Sequence, residues 1–344
     1  MIGVDISSSA VKVLELGRTS SGFRVERIGV DSLPPNAIVE SSIADIEAVS
    51  DSVSRAVSRS GTKCRDAVIA VPASHVITKS ISLPADLSGA ELDSQIMFDA
   101  ARYIPYPLEE VNLDYVKMGP SPEKPKEDEY LLVACRKEVV DDYVAVVSTQ
   151  GIRPAIVDVE TYAVENAVAN YAKSSGDGSL DGVVAVLDFG AVSTHLTVLK
   201  NTRTVYARDH AFGGRLLTDE IQRVYGLSYG EAGMAKKTLQ LPEGYEEEVF
   251  EPFRESMAQE AVRALQFFYS STPYNAVDKI LLAGGTSLVH GAADLLGERL
   301  DAPVMLFNPF QHMSVSKNTD ADTVKAESSS MLVACGLALR SFDE

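Results

Sequence analysis

Val4-Asp5-Ile6-Ser7-Ser8-Ser9 opens this chain, and Leu187-Asp188-Phe189-Gly190-Ala191-Val192-Ser193 opens its second half. In both stretches an apolar strand runs into an aspartate and then into a turn of small residues. A second apolar strand follows, with Val11, Val13 and Leu14 in one copy and Leu196, Val198 and Leu199 in the other. Small residues let backbone N–H groups approach an anion without side-chain collision. A strand-end aspartate offers a hard oxygen to a hydrated Mg²⁺. Two such hairpins set face to face would hold a triphosphate from both sides. Asp5, Ser7, Ser8 and Ser9 would serve one side, and Asp188, Gly190, Ala191 and Ser193 the other.

The bulk properties narrow the classes of function. At 344 residues the chain can build more than one packed core. Its net charge of −18 argues against nucleic acid, whose binding rests on lysines and arginines that neutralise phosphates. The same charge disfavours broad adhesion to an anionic membrane. No apolar run approaches the roughly 20 residues needed to span a bilayer. No basic stretch followed by an apolar segment marks the N-terminus, so no secretory signal is expected. Cys64, Cys135 and Cys335 lie far apart with no Cys-x-x-Cys, and buried, reduced thiols fit a cytoplasmic protein. The histidines show no metal-ligand spacing.

Strand-like and helical stretches alternate, the signature of α/β folding. The pattern predicts strands over 2–6, 11–18 and 23–32, a helix over 44–60 stopped by Gly61, and a buried strand over 66–71. From about Ile81 the texture changes. A helix is expected over 88–103, N-capped by Ser88 with Glu91 three residues on. Arg102-Tyr103-Ile104-Pro105-Tyr106-Pro107 ends it, because proline lacks an N–H and biases its predecessor away from α. Strands over 112–119 and 130–136 flank a charged tip at 120–129, and a helix covers 137–150. This unit reads as an insertion into the first domain. After a link at 176–182 come strands over 183–188, 194–200 and 204–208, helices from 216 to 269, and a strand over 279–283. A mostly irregular stretch at 314–330 and an apolar closing helix at 329–341 complete the chain.

Several further residues are candidates for binding chemistry. Lys12, seven residues after Asp5, could return its ammonium to the phosphates; the alternative is a solvated strand lysine. Gly284-Gly285-Thr286 follows a buried strand, where paired glycines let a base or ribose lie on the backbone; an ordinary strand-to-helix turn would look the same. Gly213 and Gly214 offer a second close backbone approach. Lys236 lies on a helix that could reach the base, or is a surface lysine. Glu160 opens a helix and could position a water, or it is a first-turn acid favoured by the helix dipole. There is no Walker loop, and no Ser/His/Asp or Cys/His constellation.

Together these landmarks resemble the nucleotide cleft of the actin superfamily. The two aspartate turns match its phosphate motifs, Gly284-Gly285 the adenosine motif, and Glu160 and Cys335-Gly336-Leu337-Ala338 the two connecting helices. Within that superfamily the chain is similar to the PilM family, FtsA-like proteins of type IV pilus assembly. The similarity rests on Gly3 to Lys12, on Phe98-Asp99-Ala100-Ala101 and the aromatic-proline string, on Phe212-Gly213-Gly214, and on Ala334 to Phe342. The string lies in the inserted unit, which matches the FtsA-type subdomain 1C.

The resemblance implies an actin-like (ribonuclease-H-like), two-lobed fold of the FtsA type with four subdomains. Subdomain 1A would take 1–82, 156–182 and 326–344; 1C would take 83–155; 2A would take 183–209 and 275–325; 2B would take 210–274. It implies ATP or ADP between the lobes with Mg²⁺ held through water by Asp5 and Asp188, and ATPase activity that is slow at most. It also implies a partner, the N-terminal cytoplasmic tail of PilN, in a groove between 1A and 1C. The chain would then sit in the cytoplasm and be recruited to the inner membrane through PilN, with no membrane insertion of its own. Such a scaffold would link the PilN–PilO platform to the machinery of twitching motility, with pilus ATPase motors and the platform protein as further candidate partners. A homo-oligomer stays open. One departure stands out: Gly233 occupies the place where chaperone-like and MreB-like relatives carry a ribose-gripping glutamate, and Glu231 is at a poor helical offset to replace it. An FtsA-like filament or tether and a small-molecule kinase of the same superfamily are the alternatives. The first wants an amphipathic C-terminal helix, the second an acceptor-site constellation, and the chain displays neither.

Overall fold

The computed structural model describes residues 1–343 except 21, 122–123, 150, 177, 179, 239–240 and 242. The expected helix end at Gln150 and parts of the 120–129 tip and the 176–182 link therefore lie outside the described residues.

The first lobe begins with β1 (Ile2–Ile6), β2 (Ala10–Thr19) and β3 (Gly22–Ser32), an antiparallel meander. A two-stranded hairpin, β4 (Ile38–Val39) and β5 (Ser42–Ile43), leads into α1 (Ile46–Ser60). The Asp45 carboxylate accepts from Ala48 N–H and caps this helix, which Gly61 ends at a φ of 65°. β6 (Asp66–Val71) then lies parallel to β1. β1 and β6 are apolar almost throughout because the sheet is covered on both faces.

The inserted unit contains β7 (Val76–Pro84), α2 (Gly89–Ala100), β8 (Val111–Pro120), β9 (Glu127–Arg136) and α3 (Lys137–Ser148). Its three-stranded sheet, in the order β7-β9-β8, packs with α2 around Ile81, Leu83, Ile96, Tyr130 and Leu132. Two details differ from expectation. α2 stops at Ala100, where a turn closed by Ile104 N–H onto the Ala100 carbonyl precedes the prolines. Ser88 holds the N-cap position without a capping hydrogen bond, since Gly89 at a φ of 52° swings the chain between them. α3 places Val139, Tyr143, Val146 and Val147 in the core of the first-lobe sheet. β10 (Arg153–Val159) returns parallel to β6 and runs straight into α4 (Glu160–Ser175).

The second lobe repeats the plan. It comprises β11 (Val183–Phe189), β12 (Thr194–Lys200), β13 (Arg203–His210), α5 (Arg215–Tyr225), α6 (Tyr229–Thr238), α7 (Glu251–Ser271), β14 (Lys279–Ala283), α8 (Ala292–Arg299) and β15 (Val304–Leu306). Its sheet order β13-β12-β11-β14-β15 mirrors β3-β2-β1-β6-β10, antiparallel on one side of the first strand and parallel on the other. β16 (Ser314–Val315), within the stretch expected to be mostly loop, pairs with β3 and stitches the lobes together; α9 (Ala321–Glu327) and α10 (Leu332–Leu339) follow.

α4 and α10 form the shared layer between the sheets, in a core with Leu14, Val25, Val186 and Leu281. Gly336 makes their close crossing possible: a Cβ there would overlap the Ala163 carbonyl.

Candidate functional site

The β1–β2 register sets Lys12 opposite Asp5. Lys12 Nζ donates to Asp5 Oδ2 at 2.8 Å and to Ser7 Oγ at 3.4 Å. With its side chain 13% exposed, Lys12 is not a solvated strand lysine. Burial works to lower its pKa, and the charge and hydrogen bond of Asp5 override that, so the ammonium is held above its ordinary value. Ser7 closes the turn, its N–H and its hydroxyl both donating to the Ala10 carbonyl. Ser8 is half-buried beside it, while Ser9 lies exposed at the rim.

The β11–β12 register sets His195 opposite Asp188 in the same way. Its ring lies 2.6 Å (Nδ1) from Asp209 Oδ1 and 3.0 Å (Nε2) from Ser193 Oγ. Burial disfavours the imidazolium, but the Asp209 hydrogen bond and the charges of Glu160, Asp209 and Asp188 raise its pKa to about 9. The Asp188 carboxyl is raised by burial, against the pull of His195 and Lys12 and with a push from Asp5. Glu160, at the first position of α4, is pushed up to about 7 by burial; His195 pulls it down and Asp5 pushes it up. The charges of Asp5, Lys12 and Glu160 in the first lobe and of Asp188 and His195 in the second thus act on one another. His195 and Asp209 did not emerge from sequence reading. The signal was there: His195 follows Asp188 by the same seven residues that separate Lys12 from Asp5.

The remaining candidates gather around the Gly190–Ala191 turn that follows Asp188. Gly214 N–H donates to the Gly190 carbonyl at 3.1 Å, and Arg215 N–H to the Ala191 carbonyl at 2.7 Å. Thr286 Oγ1 also donates to the Gly190 carbonyl, at 2.8 Å. Lys236 Nζ reaches the Gly214 carbonyl at 3.1 Å and Thr218 Oγ1 at 2.9 Å. Gly213 and Gly284 are required by packing. A Cβ on Gly213 would overlap the Ala191 carbonyl, and one on Gly284, at a φ of 84°, would overlap the Asp188 carboxylate. At Gly285 a Cβ would meet only open space. Glu231 is occupied elsewhere: its carboxylate accepts from Ser228 N–H at 2.8 Å while Ser228 Oγ accepts from Glu231 N–H, a capping box at the start of α6.

No group of three or more histidines, cysteines or acids able to hold a metal occurs among the described residues. Asp5 and Asp188 by themselves suit a cation that takes its other ligands from phosphate and water. The three cysteines are free, with Cys335 pushed up to about 12 by burial. Among the described residues, no helix is long and apolar enough to cross a membrane. A cavity of about 130 Å³ opens where the insert meets the first lobe, lined by Ser42, Ile43, Arg136, Glu138, Val139, Asp142 and Tyr143.

A family model described as type IV pilus assembly protein PilM matches residues 3–342. The chain belongs to the PilM family. A solved chain from the PilM-PilN type IV pilus biogenesis complex superposes with a TM-score of 0.82 at 26% identity, covering 100% of this chain and 98% of that one. Cell division protein FtsA of Bacillus subtilis (strain 168) is 24% identical over 275 residues, 73% of this chain and 61% of that protein. The chain therefore spans about three-fifths of that curated relative. MreB 5 of Spiroplasma citri bound to AMPPNP superposes at a TM-score of 0.50 with 12% identity, over 99% of this chain and 95% of that one. The actin-like α/β fold of this PilM-family member is thereby established, as its sequence implied.

Proposed function

We propose that this PilM-family chain is an actin-like docking scaffold of type IV pilus assembly. It binds a nucleotide between its lobes and receives the N-terminal cytoplasmic tail of PilN in the groove between insert and first lobe. The carrying observation is the full-length match to a chain from a PilM-PilN complex. The cavity bordered by Ser42 and Tyr143 supports the groove assignment. An extended tail would be read there by side-chain pockets and main-chain bonds. Recruitment to the inner membrane then follows from the partner, and contacts with pilus motors and the platform protein would extend from the same scaffold.

Nucleotide binding is supported by the crevice. Lys12 and His195 supply one cation per lobe, each fixed by a carboxylate, and Asp5 and Asp188 face the same space. Bound Mg²⁺-ATP would bring the phosphoryl group and its charge. Beside it, Gly285 keeps a side chain out of the open space where sugar or base would lie, and Lys236 holds the Gly214 loop in place. Glu160 can accept a hydrogen bond from a water at its carboxylate. A pKa of about 7 in the nucleotide-free protein lies in the range that suits a general base at neutral pH.

Co-purification with full-length PilN and with PilN lacking its cytoplasmic tail tests the reading. Capture should vanish with the tail; undiminished capture contradicts the groove. The likeness to FtsA supports a second reading, nucleotide-dependent self-assembly, for which sedimentation with and without ATP is the test.

A further inference from the structure

The turn between β4 and β5 is strained. Glu40 and Ser41 form its two residues at φ values of 49° and 63°, a left-handed pair that glycine or asparagine would adopt at less cost. Strain of this kind persists where surroundings hold it, and clusters at ligand clamps and switch regions. Ile38 and Ile43 pack this hairpin against the first-lobe core, and two side-chain hydrogen bonds reach it from the main body. Tyr143 OH donates to the Ser41 carbonyl at 3.3 Å, and the His75 ring lies 3.3 Å (Nε2) from Ser42 Oγ. Ser42 and Tyr143 both line the cavity assigned above to the PilN tail.

The second contact leads back to the crevice. His75 ends a single 3₁₀ turn, Ala73–His75, separated from β6 by Pro72 alone. Its first residue, Ala73, donates its N–H to Glu160 Oε2 at 3.4 Å. The base of this turn is pinned as well, since Val71 pairs with Val159, the residue before Glu160. Glu160 and Ser42 therefore contact opposite ends of one short turn.

We propose that the β4–β5 hairpin is a flap over the peptide groove, and that occupancy of the nucleotide crevice sets its position through Glu160, the Ala73–His75 turn and Ser42. A ligand that draws on the Glu160 carboxylate competes with Ala73 N–H, releases the turn, and alters the hold of His75 on the flap. By linkage the effect is reciprocal: nucleotide changes tail affinity by the factor by which tail changes nucleotide affinity. The inference rests on the docking reading and adds its regulation.

The test is a titration of a synthetic PilN tail peptide by fluorescence anisotropy, without nucleotide and with saturating Mg²⁺-AMPPNP. AMPPNP binding is read separately, by displacement of a fluorescent ATP analogue. The expected ratio of tail affinities is about fivefold or more. A ratio below that, with both ligands bound, overturns the flap and leaves docking intact. No tail binding in either state removes docking and flap together, and no AMPPNP binding likewise removes both crevice and flap. Two variants address the route. Ala73→Pro deletes the donated N–H at a position that tolerates proline, the first of a helical turn preceded by an extended residue. His75→Ala removes the contact at the flap. Each should still bind both ligands, with tail affinity now alike with and without AMPPNP, so that the ratio collapses below twofold; either variant folding normally and keeping the wild-type ratio overturns the route.

Discussion

His195 stands opposite Asp188 across β11–β12, at the register position that Lys12 holds opposite Asp5 across β1–β2. The internal repeat of this fold thus extends from strand order to the placement of charge. The two copies differ in how the cation is held. Lys12 is bonded to its facing aspartate, whereas His195 turns to Asp209 on β13.

That difference predicts opposite stability effects. Lys12→Met leaves the Asp5 carboxylate, 4% exposed, without its cation, and should cost about 3 kcal/mol in chemical denaturation. Asp188→Asn removes a carboxylate that burial already disfavours, and its unfolding midpoint should stay level or rise. The reverse ranking would contradict the assigned ion pair.

The titrating pair predicts a pH profile for the nucleotide-free protein. Glu160 has a folded pKa of about 7 against an ordinary 4.5, so the native state keeps a proton that the unfolded chain has released. Stability should fall by about 3 kcal/mol as pH rises through that window. His195 has a folded pKa of about 9 against 6.5; the stability from its charge is complete below 6.5 and lost as pH climbs to 9. Thermal midpoints should decline from pH 5 to 9. Glu160→Gln should flatten the lower part of the curve and His195→Gln the upper part.

Much of this crevice was legible in the chain because its parts are local. Asp5, Asp188 and Gly284 each end a strand at a small-residue turn, a pattern read without knowing what lies opposite. What escaped depends on pairing. Asp209 becomes a partner of His195 only through the β12–β13 register. The β4–β5 hairpin escaped because Glu40-Ser41 lacks the Asn-Gly chemistry that announces such a turn. Ser88 and Glu91 looked like a capping box, and the Gly89 backbone prevents it.

Helix packing gives a paired prediction. Gly336→Ala forces a methyl group into the Ala163 carbonyl of α4 and should destabilise by about 3 kcal/mol, as overpacking does. Gly297→Ala, on α8 and facing open space, should be neutral or stabilising. Equal midpoints for the two variants would show that the α4–α10 contact is looser than described.

The capping role of Glu231 separates two lysine-helix functions. Glu231→Ala should lower the thermal midpoint slightly and leave nucleotide affinity unchanged, whereas Lys236→Met should weaken nucleotide binding. A loss of affinity in the first variant would return Glu231 to the ribose.

The most direct measurement is a titration of a fluorescent ATP analogue with Mg²⁺ into the wild type and the Asp188→Asn variant, with folding checked by circular dichroism. The account predicts saturable binding that unlabelled ATP displaces, weakened at least about tenfold in the variant, as is usual for disturbing the surroundings of a metal. Undiminished affinity in a folded Asp188→Asn protein, or no saturable binding by the wild type, would contradict a nucleotide held between the two aspartate turns.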